Sequence, residues 1–244
     1  MSYNILDGGI GRADPIAEVV LAQRADVVVL VEADDAEVRD RIAWRLGFDC
    51  VAGVGRKGRT AAILTRGRIL ESINHVALGG DDLPRSMLSA VVKLDDVELS
   101  VTGVHLSSKA SDEQETTRER EVATVLNALA PLRAEGRPHV VCGDFNAVSP
   151  DAKIDVAALP DKVRPHYEAN GNTLPRRAIA TLLDAGYADT LDDAAATSFT
   201  TLQPGLRLDY IFGHGLAESR GWTEHDRLAR YASDHFPVGA ELRL

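Results

Sequence analysis

Residues 140–146, Val-Val-Cys-Gly-Asp-Phe-Asn, end an apolar run with an acid and an amide two positions apart. Successive side chains of an extended segment point to opposite sides, so Asp144 and Asn146 are expected on the same side. The carboxylate offers negative oxygens, and the amide offers both a donor and an acceptor. Such a pair suits a metal-bound phosphate, whose charge must be neutralised and whose oxygens must be held. A polar strand end that merely turns into a loop is the structural alternative.

Further polar residues stand where other apolar segments end, or just before the last one. They are Asn4, Glu32, His105, Asp209, Asp234 and His235. In a layered α/β fold the strand ends meet at one edge of the sheets, where ligand crevices form. Carboxylate and amide oxygens suit a hard cation, and histidines exchange protons near neutral pH. No serine or cysteine stands in a nucleophile motif, so water is the predicted attacking group.

Each of these residues also has a purely structural interpretation. Glu32 could favour the start of the next helix, His105 could be a hydrogen-bonded core histidine, and Ser233–His235 could form a capped turn. Asp209 is harder to explain in this way, because a carboxylate within an otherwise apolar strand is costly unless it is paired.

Hydrophobic periodicity predicts the elements that must position these side chains. The predicted helices cover residues 14–23, 35–46, 111–129 and 176–185. The predicted strands cover residues 27–31, 60–64, 89–94, 98–104, 140–142, 207–212 and 238–244. Strands separated by helices indicate stacked sheets with helices outside, in a single domain over residues 1–244. Trp44 and Trp222 are expected to pack in the interior, and Cys142 to be a buried small hydrophobe.

Composition and charge narrow the class of function. The 244 residues are 45% hydrophobic, enough for a large core, and no stretch of about 18 apolar residues predicts a membrane span. The formal net charge of −10 argues against a strong polynucleotide binder, whose affinity depends on basic patches. Nucleic acid stays open as a substrate, because a bound cation or a local basic rim can oppose the global charge.

The glycine-rich segment 53–59 carries the best candidates for extra phosphate contacts, Arg56, Lys57 and Arg59. Glycines free backbone N–H groups for an anion, and the three cations add charge. A solvated loop with balanced charges is the alternative. Arg85, Arg176 and Arg177 could likewise line a rim or lie on the surface.

The first residues and the cysteines bear on localisation. Met1 to Asn4 contains neither a basic region nor an apolar one, and two cysteines are too few for a disulfide framework. A cytoplasmic location is therefore expected, while secretion stays open if an N-terminal signal was removed. The sequence does not indicate an oligomeric state.

Six segments together resemble the endonuclease/exonuclease/phosphatase superfamily, which includes DNase I and exonuclease III-type nucleases. They are Tyr3-Asn4-Ile5, Val31-Glu32, Gly103-Val104-His105-Leu106, Gly143-Asp144-Phe145-Asn146, Arg207-Leu208-Asp209-Tyr210-Ile211-Phe212 and Ser233-Asp234-His235-Phe236-Pro237-Val238. They follow the family's order and span nearly the whole chain. The resemblance implies a DNase I-like, four-layer α-β-β-α sandwich of two mixed β-sheets flanked by helices. It also implies hydrolysis of phosphoesters that depends on Mg²⁺ or Mn²⁺.

The resemblance also implies a role for each matching residue. Glu32 would be the main metal ligand, with Asn4 and Asp234 near the metal. Asp144 and Asn146 would align water and phosphate. His235 would act as general base or transition-state stabiliser, oriented by Asp209, and His105 would contact the phosphate or assist the leaving group. The sequence departs from the family at Leu6, where some nucleases have an acid, and at Val31, where many members have Gln. One metal ion and two are both compatible with this set.

The leading prediction is a metal-dependent phosphodiesterase whose substrate is a phosphoester. A nuclease and an enzyme for a small or lipid-derived phosphodiester both stay open. The second hypothesis is a phosphomonoesterase of a small polyphosphorylated molecule, which would need further basic side chains beside the metal. The third is an inactive module that binds a phosphate ligand. The intact set of acids and histidines disfavours it.

Overall fold

The computed structural model describes residues 1–244 as two six-stranded sheets packed face to face, with helices on both outer faces. The strands are β1 (Ser2–Asn4), β2 (Val27–Val31), β3 (Asp49–Val54), β4 (Thr60–Thr65), β5 (Arg68–Asn74), β6 (Ser86–Leu94), β7 (Val97–His105), β8 (His139–Asp144), β9 (Ala188–Asp189), β10 (Asp209–His214), β11 (Glu218–Thr223) and β12 (Val238–Arg243). The helices are α1 (Ala13–Gln23), α2 (Ala36–Leu46), α3 (His75–Leu78), α4 (Asp112–Ala128), α5 (Ala130–Ala134), α6 (Arg164–Ala169), α7 (Arg177–Asp184) and α8 (Arg227–Ala232). The predicted four-layer sandwich is confirmed.

Both sheets are mixed. The first has the order β11-β12-β1-β2-β4-β3, and the second has the order β5-β6-β7-β8-β10-β9. β1 runs parallel to β2, and β7 runs parallel to β8, whereas the remaining pairs are antiparallel. The two parallel pairs lie at the centre of their sheets. The chain leaves the carboxyl ends of these four strands at the same end of the sandwich.

The apolar run of β2 shows how the layers form. Val28 and Leu30 pack against the helices α1, α2 and α8, whereas Val29 and Val31 pack between the two sheets. Both faces of this strand are therefore buried, which explains why its residues are apolar without alternation. The sheets approach closely at Gly103 on β7, where a Cβ atom would lie 2.6 Å from Cγ1 of Val29.

The seven predicted strands are all interior strands of the sheets. Periodicity missed five strands: the four edge strands β3, β5, β9 and β11, and the interior strand β1, whose three residues are too short for a pattern. An edge strand can expose much of its surface and needs no apolar run. β11 illustrates this with the polar sequence Glu-Ser-Arg-Gly-Trp-Thr. The predicted helices agree with the structure to within about one or two residues, the usual uncertainty of helix boundaries.

The expectation for Trp44 was wrong, because its side chain is 75% exposed on α2, beneath the guanidinium of Arg41. Trp222 is half-buried and donates to the side chain of Gln23. Cys142 is buried between the sheets, as predicted. None of the helices combines the length and apolar character needed to cross a bilayer.

Candidate active site

The strand register brings the predicted polar residues to one edge of the sandwich. His105 at the end of β7 pairs with Asp144 at the end of β8, and Asp144 pairs in turn with Asp209 at the start of β10. In the other sheet, Asn4 ends β1 and Glu32 directly follows β2. The site residues of both sheets therefore lie at the same end of the sandwich, where the sequence analysis expected them.

Asp209 and His235 form a buried hydrogen-bonded pair. His235 Nδ1 lies 2.7 Å from Asp209 Oδ2, and the two residues are 5% and 0% exposed. Burial lowers the pKa of His235, but the carboxylates of Asp209 and Asp144 outweigh it and raise that pKa to about 10. His235 Nε2 lies 3.9 Å from Asp144 Oδ2, which directs the second ring nitrogen toward the rest of the site.

Ser198 is hydrogen-bonded to the Asp209 side of this pair, and the sequence analysis did not predict it. Its hydroxyl donates to Asp209 Oδ2 at 2.7 Å and accepts the backbone N–H groups of Leu208 and Asp209. Ser198 lies in an irregular segment with no periodic pattern, so only the tertiary structure reveals its contact.

Asp144 is held from two directions. Asn4 Nδ2 donates to its Oδ2 at 3.1 Å, and the backbone N–H of Asn146 donates to its Oδ1 at 2.9 Å. Burial raises the pKa of Asp144 to about 7, against the opposing effect of His235. The preceding Gly143 has φ 146°, and a Cβ there would lie 1.9 Å from the carbonyl oxygen of Val104, so the glycine of this motif is sterically required.

Glu32 has one carboxylate oxygen engaged and one left toward the site. Its Oε2 accepts the backbone N–H of Asp7 at 3.0 Å and Nη1 of Arg59 at 2.8 Å. Its Oε1 lies 3.9 Å from His105 Nε2. The same Arg59 nitrogen lies 3.1 Å from carboxylate oxygens of both Asp7 and Asp34. One guanidinium group thus neutralises part of a cluster of three acids.

His105 is buried and neutral. Its Nε2 lies 2.8 Å from Nη1 of Arg85, and since a guanidinium only donates, Nε2 must accept and the proton must be on Nδ1. Burial and the charge of Arg85 hold the pKa of His105 well below its usual range. The structure therefore makes Arg85 the cation at this position, oriented by the imidazole.

These residues open onto one cavity of about 400 Å³. Glu32, Arg59, Arg85, Asn146 and His235 line its polar end, together with Asp144 and Asp234. Asn4, His105 and Asp209 lie behind them and support them. The size is that of a small-ligand site.

The two other basic residues predicted to bind phosphate do not line this cavity. Arg56 donates to the backbone carbonyl of Leu83, and Lys57 faces a neighbouring depression beside Asp34 and Asp35. Arg176 binds backbone carbonyls and Arg177 pairs with Asp112 and Glu119, so neither forms a rim.

The donor set fits a hard divalent cation. Ligand atoms of Asp144, Asp209 and His235 lie within 4.8 Å of one another. However, Asp209 Oδ2 and His235 Nδ1 already bond each other, so these two atoms are not free for a metal. Glu32 Oε1 and Asp144 offer oxygen at the cavity, and Asp234 Oδ1 is a buried atom without a hydrogen-bond partner. Oxygen ligands of this kind suit Mg²⁺ or Mn²⁺.

The four-layer sandwich with its convergent strand ends defines a DNase I-like architecture. A family model for endonuclease/exonuclease/phosphatase proteins matches residues 1–235, and the chain therefore belongs to the endonuclease/exonuclease/phosphatase family. This family is generally dependent on a divalent metal, and it indicates phosphoesterase activity.

Comparison with solved structures supports the same fold. Truncated TDP2 from Caenorhabditis elegans has 16% sequence identity and a TM-score of 0.68, over 100% of this chain and 96% of that one. An AP endonuclease from Archaeoglobus fulgidus has 17% identity and a TM-score of 0.70, over 100% and 98%. The mannosyl-6-phosphatase Bt3783 from Bacteroides thetaiotaomicron VPI-5482 has 19% identity and a TM-score of 0.69, over 100% and 98%. A comparison with curated protein sequences gave no significant match.

Proposed function

We propose that the protein is a divalent-metal-dependent phosphodiesterase that hydrolyses its substrate by in-line attack of water. The observation that carries the proposal is the buried Asp209–His235 pair, with its free ring nitrogen 3.9 Å from Asp144. A hydrogen-bonded histidine of this kind can hold or move a proton at the reacting oxygen.

The metal is assigned to Glu32, Asp144 and Asp234, which are the oxygen donors around the cavity. Asn4, expected near the metal, lies behind them, where its Nδ2 donates to Asp144 and its Oδ1 accepts the backbone N–H of Leu6. When bound, the cation supplies positive charge to the phosphoryl oxygens. Mg²⁺ and Mn²⁺ are the proposed ions, because both prefer oxygen ligands.

The chain's own residues do the remaining work. Asp144 and Asn146 position the attacking water and the phosphate, and His235 stabilises the charge that develops on the phosphoryl group. Arg85, oriented by His105, adds positive charge at the cavity. Asp209 and Ser198 hold His235 in the orientation that turns Nε2 toward the cavity.

The experiment that tests the proposal is hydrolysis of bis(p-nitrophenyl) phosphate with Mn²⁺. It is compared with the same assay in chelator and with the His235→Ala variant. Activity that needs both the metal and His235 supports the proposal. Activity that survives the chelator contradicts it.

A phosphomonoesterase of a small polyphosphorylated molecule is the second candidate. Its support is the size of the cavity and the presence of two further lysines along it, Lys109 and Lys162. A p-nitrophenyl phosphate assay beside the diester assay separates the two activities. Extended nucleic acid is a weaker candidate substrate, because the net charge is −10 and only Arg85, of the three arginines considered for a basic rim, lines the cavity.

A further inference from the structure

The cavity continues beyond the polar end into a second half with an apolar floor. The floor consists of residues from one buried cluster: Val148, Val163, Leu174, Phe199, Leu206 and Leu208. Phe199 connects the two halves, since its ring centroid lies 4.7 Å from that of His235. The part of a substrate next to the reacting phosphate would therefore lie on this floor.

Two lysines line the same cavity, and neither ammonium group lies within ion-pair distance of a carboxylate. They are Lys109, in the loop after β7, and Lys162, in the loop before α6. Nζ of Lys162 lies 4.4 Å from the centroid of the Phe199 ring, which holds the cation over the floor by its aromatic face. The charge of Lys162 also acts on Asp234, where burial raises the pKa of the carboxyl and Lys162 opposes that rise. In a chain of net charge −10, two cations that form no direct ion pair beside one cavity are available to an anionic ligand.

Buried charged residues fix the loop that carries Lys109. Nη1 of Arg118 donates to the backbone carbonyls of Ser107 and Lys109, at 2.9 and 2.7 Å. Glu121 accepts both the N–H and the hydroxyl of Ser107, at 2.8 and 2.6 Å. Arg118 and Glu121 are each 1% exposed. Burying charges is costly, so this network is better explained by the need for a rigid loop at the cavity than by stability.

We propose that the substrate carries a second phosphate group, which Lys109 and Lys162 bind, joined to the reacting phosphate by a compact body on the apolar floor. This inference rests on the proposed function and specifies its substrate class. A nucleotide phosphodiester and a sugar phosphodiester that each carry a second phosphate group share this chemistry, and both fit a cavity of about 400 Å³.

The test compares two chromogenic diesters, thymidine 5′-(p-nitrophenyl phosphate) with and without a 3′-phosphate. In the wild-type protein the 3′-phosphate should raise kcat/KM about tenfold, the effect expected of two charge-assisted contacts at exposed lysines. The double variant Lys109→Ala/Lys162→Ala should lose this advantage. The control is Lys153→Ala, an exposed lysine outside the cavity, which should retain it. Equal ratios of kcat/KM in the wild type and the double variant would overturn the inference.

A binding measurement separates this inference from the proposed function. Calorimetry on a His235→Ala background, with and without the two lysine substitutions, uses thymidine 3′,5′-bisphosphate and fructose 1,6-bisphosphate, each against its monophosphate. If a bisphosphate binds more tightly than its monophosphate and this difference needs the two lysines, the inference is supported even if no diester is hydrolysed. The bisphosphate that binds more tightly shows whether a nucleoside or a sugar is the preferred carrier of the second phosphate. Lysine-independent binding refutes the inference even if hydrolysis succeeds.

Discussion

Nδ1 of His235 lies 2.7 Å from Oδ2 of Asp209, and this contact decides which nitrogen of the histidine serves the cavity. With Nδ1 engaged, only Nε2 is available, and it lies 3.9 Å from Asp144 Oδ2. The carboxylate of Asp209 is wholly buried and would be unfavourable without this partner. The hydrogen bond therefore fixes the orientation of the His235 ring, so that Nε2 is the atom available for chemistry.

Replacing His235 by alanine should lower kcat by about 10²–10⁴-fold, the usual contribution of an acid–base side chain. Steady-state hydrolysis of bis(p-nitrophenyl) phosphate with Mn²⁺ measures this. Asp209→Asn should also lower kcat, because an amide no longer balances the charge of the histidine. Circular dichroism must show a native spectrum for both variants. A folded His235→Ala protein with wild-type kcat would remove His235 from the mechanism.

Ser198→Ala should destabilise the protein by about 1–3 kcal/mol, because the N–H groups of Leu208 and Asp209 lose their buried acceptor. It should also lower kcat, because Asp209 loses one of the two groups that hold its Oδ2. Urea unfolding and the diester assay measure the two effects. Ser219→Ala, at an exposed position on the edge strand β11, is the control and should change neither. Unchanged stability of Ser198→Ala would show that the backbone groups find other partners.

Glu32→Gln should weaken Mn²⁺ binding about tenfold or more, since a neutral amide replaces the carboxylate assigned as the main ligand. Isothermal titration of the metal measures the affinity without reference to turnover. Glu37→Gln, an exposed acid in the first turn of α2, is the matched control. If both variants bound Mn²⁺ like the wild type, Glu32 would not be a ligand.

Arg59→Gln should tighten Mn²⁺ binding about tenfold, in the opposite direction to Glu32→Gln, because the acids around it lose a neutralising cation. Two effects compete here, since Arg59 also orients Glu32 through the 2.8 Å contact with Oε2. The charge effect should prevail, because Oε2 keeps the backbone N–H of Asp7 at 3.0 Å. Metal titration decides between them, and weaker binding would show that orientation matters more than charge.

His139 should make stability depend on pH, at a place remote from the active site. It is buried, its Nε2 lies 2.8 Å from the hydroxyl of Tyr187, and its ring stacks on His214 at 5.1 Å. Burial lowers the pKa of His139 below the ordinary value of 6.5, against a backbone contact to Arg137 and with help from His214 and the nearby Arg133.

The sign follows from proton binding. Below pH 6.5 the unfolded chain binds a proton that the folded protein accepts only at lower pH, so folding loses stability as the pH falls. The stability of the folded protein is unaffected by this titration above pH 6.5, and it declines as the pH falls below that value. Urea unfolding at a series of pH values should show a smaller decline for His139→Gln than for the wild type. Parallel curves for the two proteins would contradict the assignment to His139.

The sequence determined the interior of the fold, because interior strands and amphipathic helices must bury apolar residues in a fixed period. For this reason the sequence predicted the strands at Val27–Val31 and Val140–Cys142. The sequence also identified the polar residues that end those strands. Asp144 and Asn146 directly follow an apolar run, and the packing of that run does not require polar residues at its end.

Tertiary structure alone decided the rest. The edge strands β3, β5, β9 and β11 gain their stability from a partner on one side, so their residues need no periodic pattern. Ser198 reaches Asp209 across a turn of the chain, and Arg59 joins three acids from separate segments. Lys109 and Lys162 are 53 positions apart in the sequence, and only the packing of their two loops places both along one cavity. Contacts of this kind depend on distances between segments that no local pattern encodes.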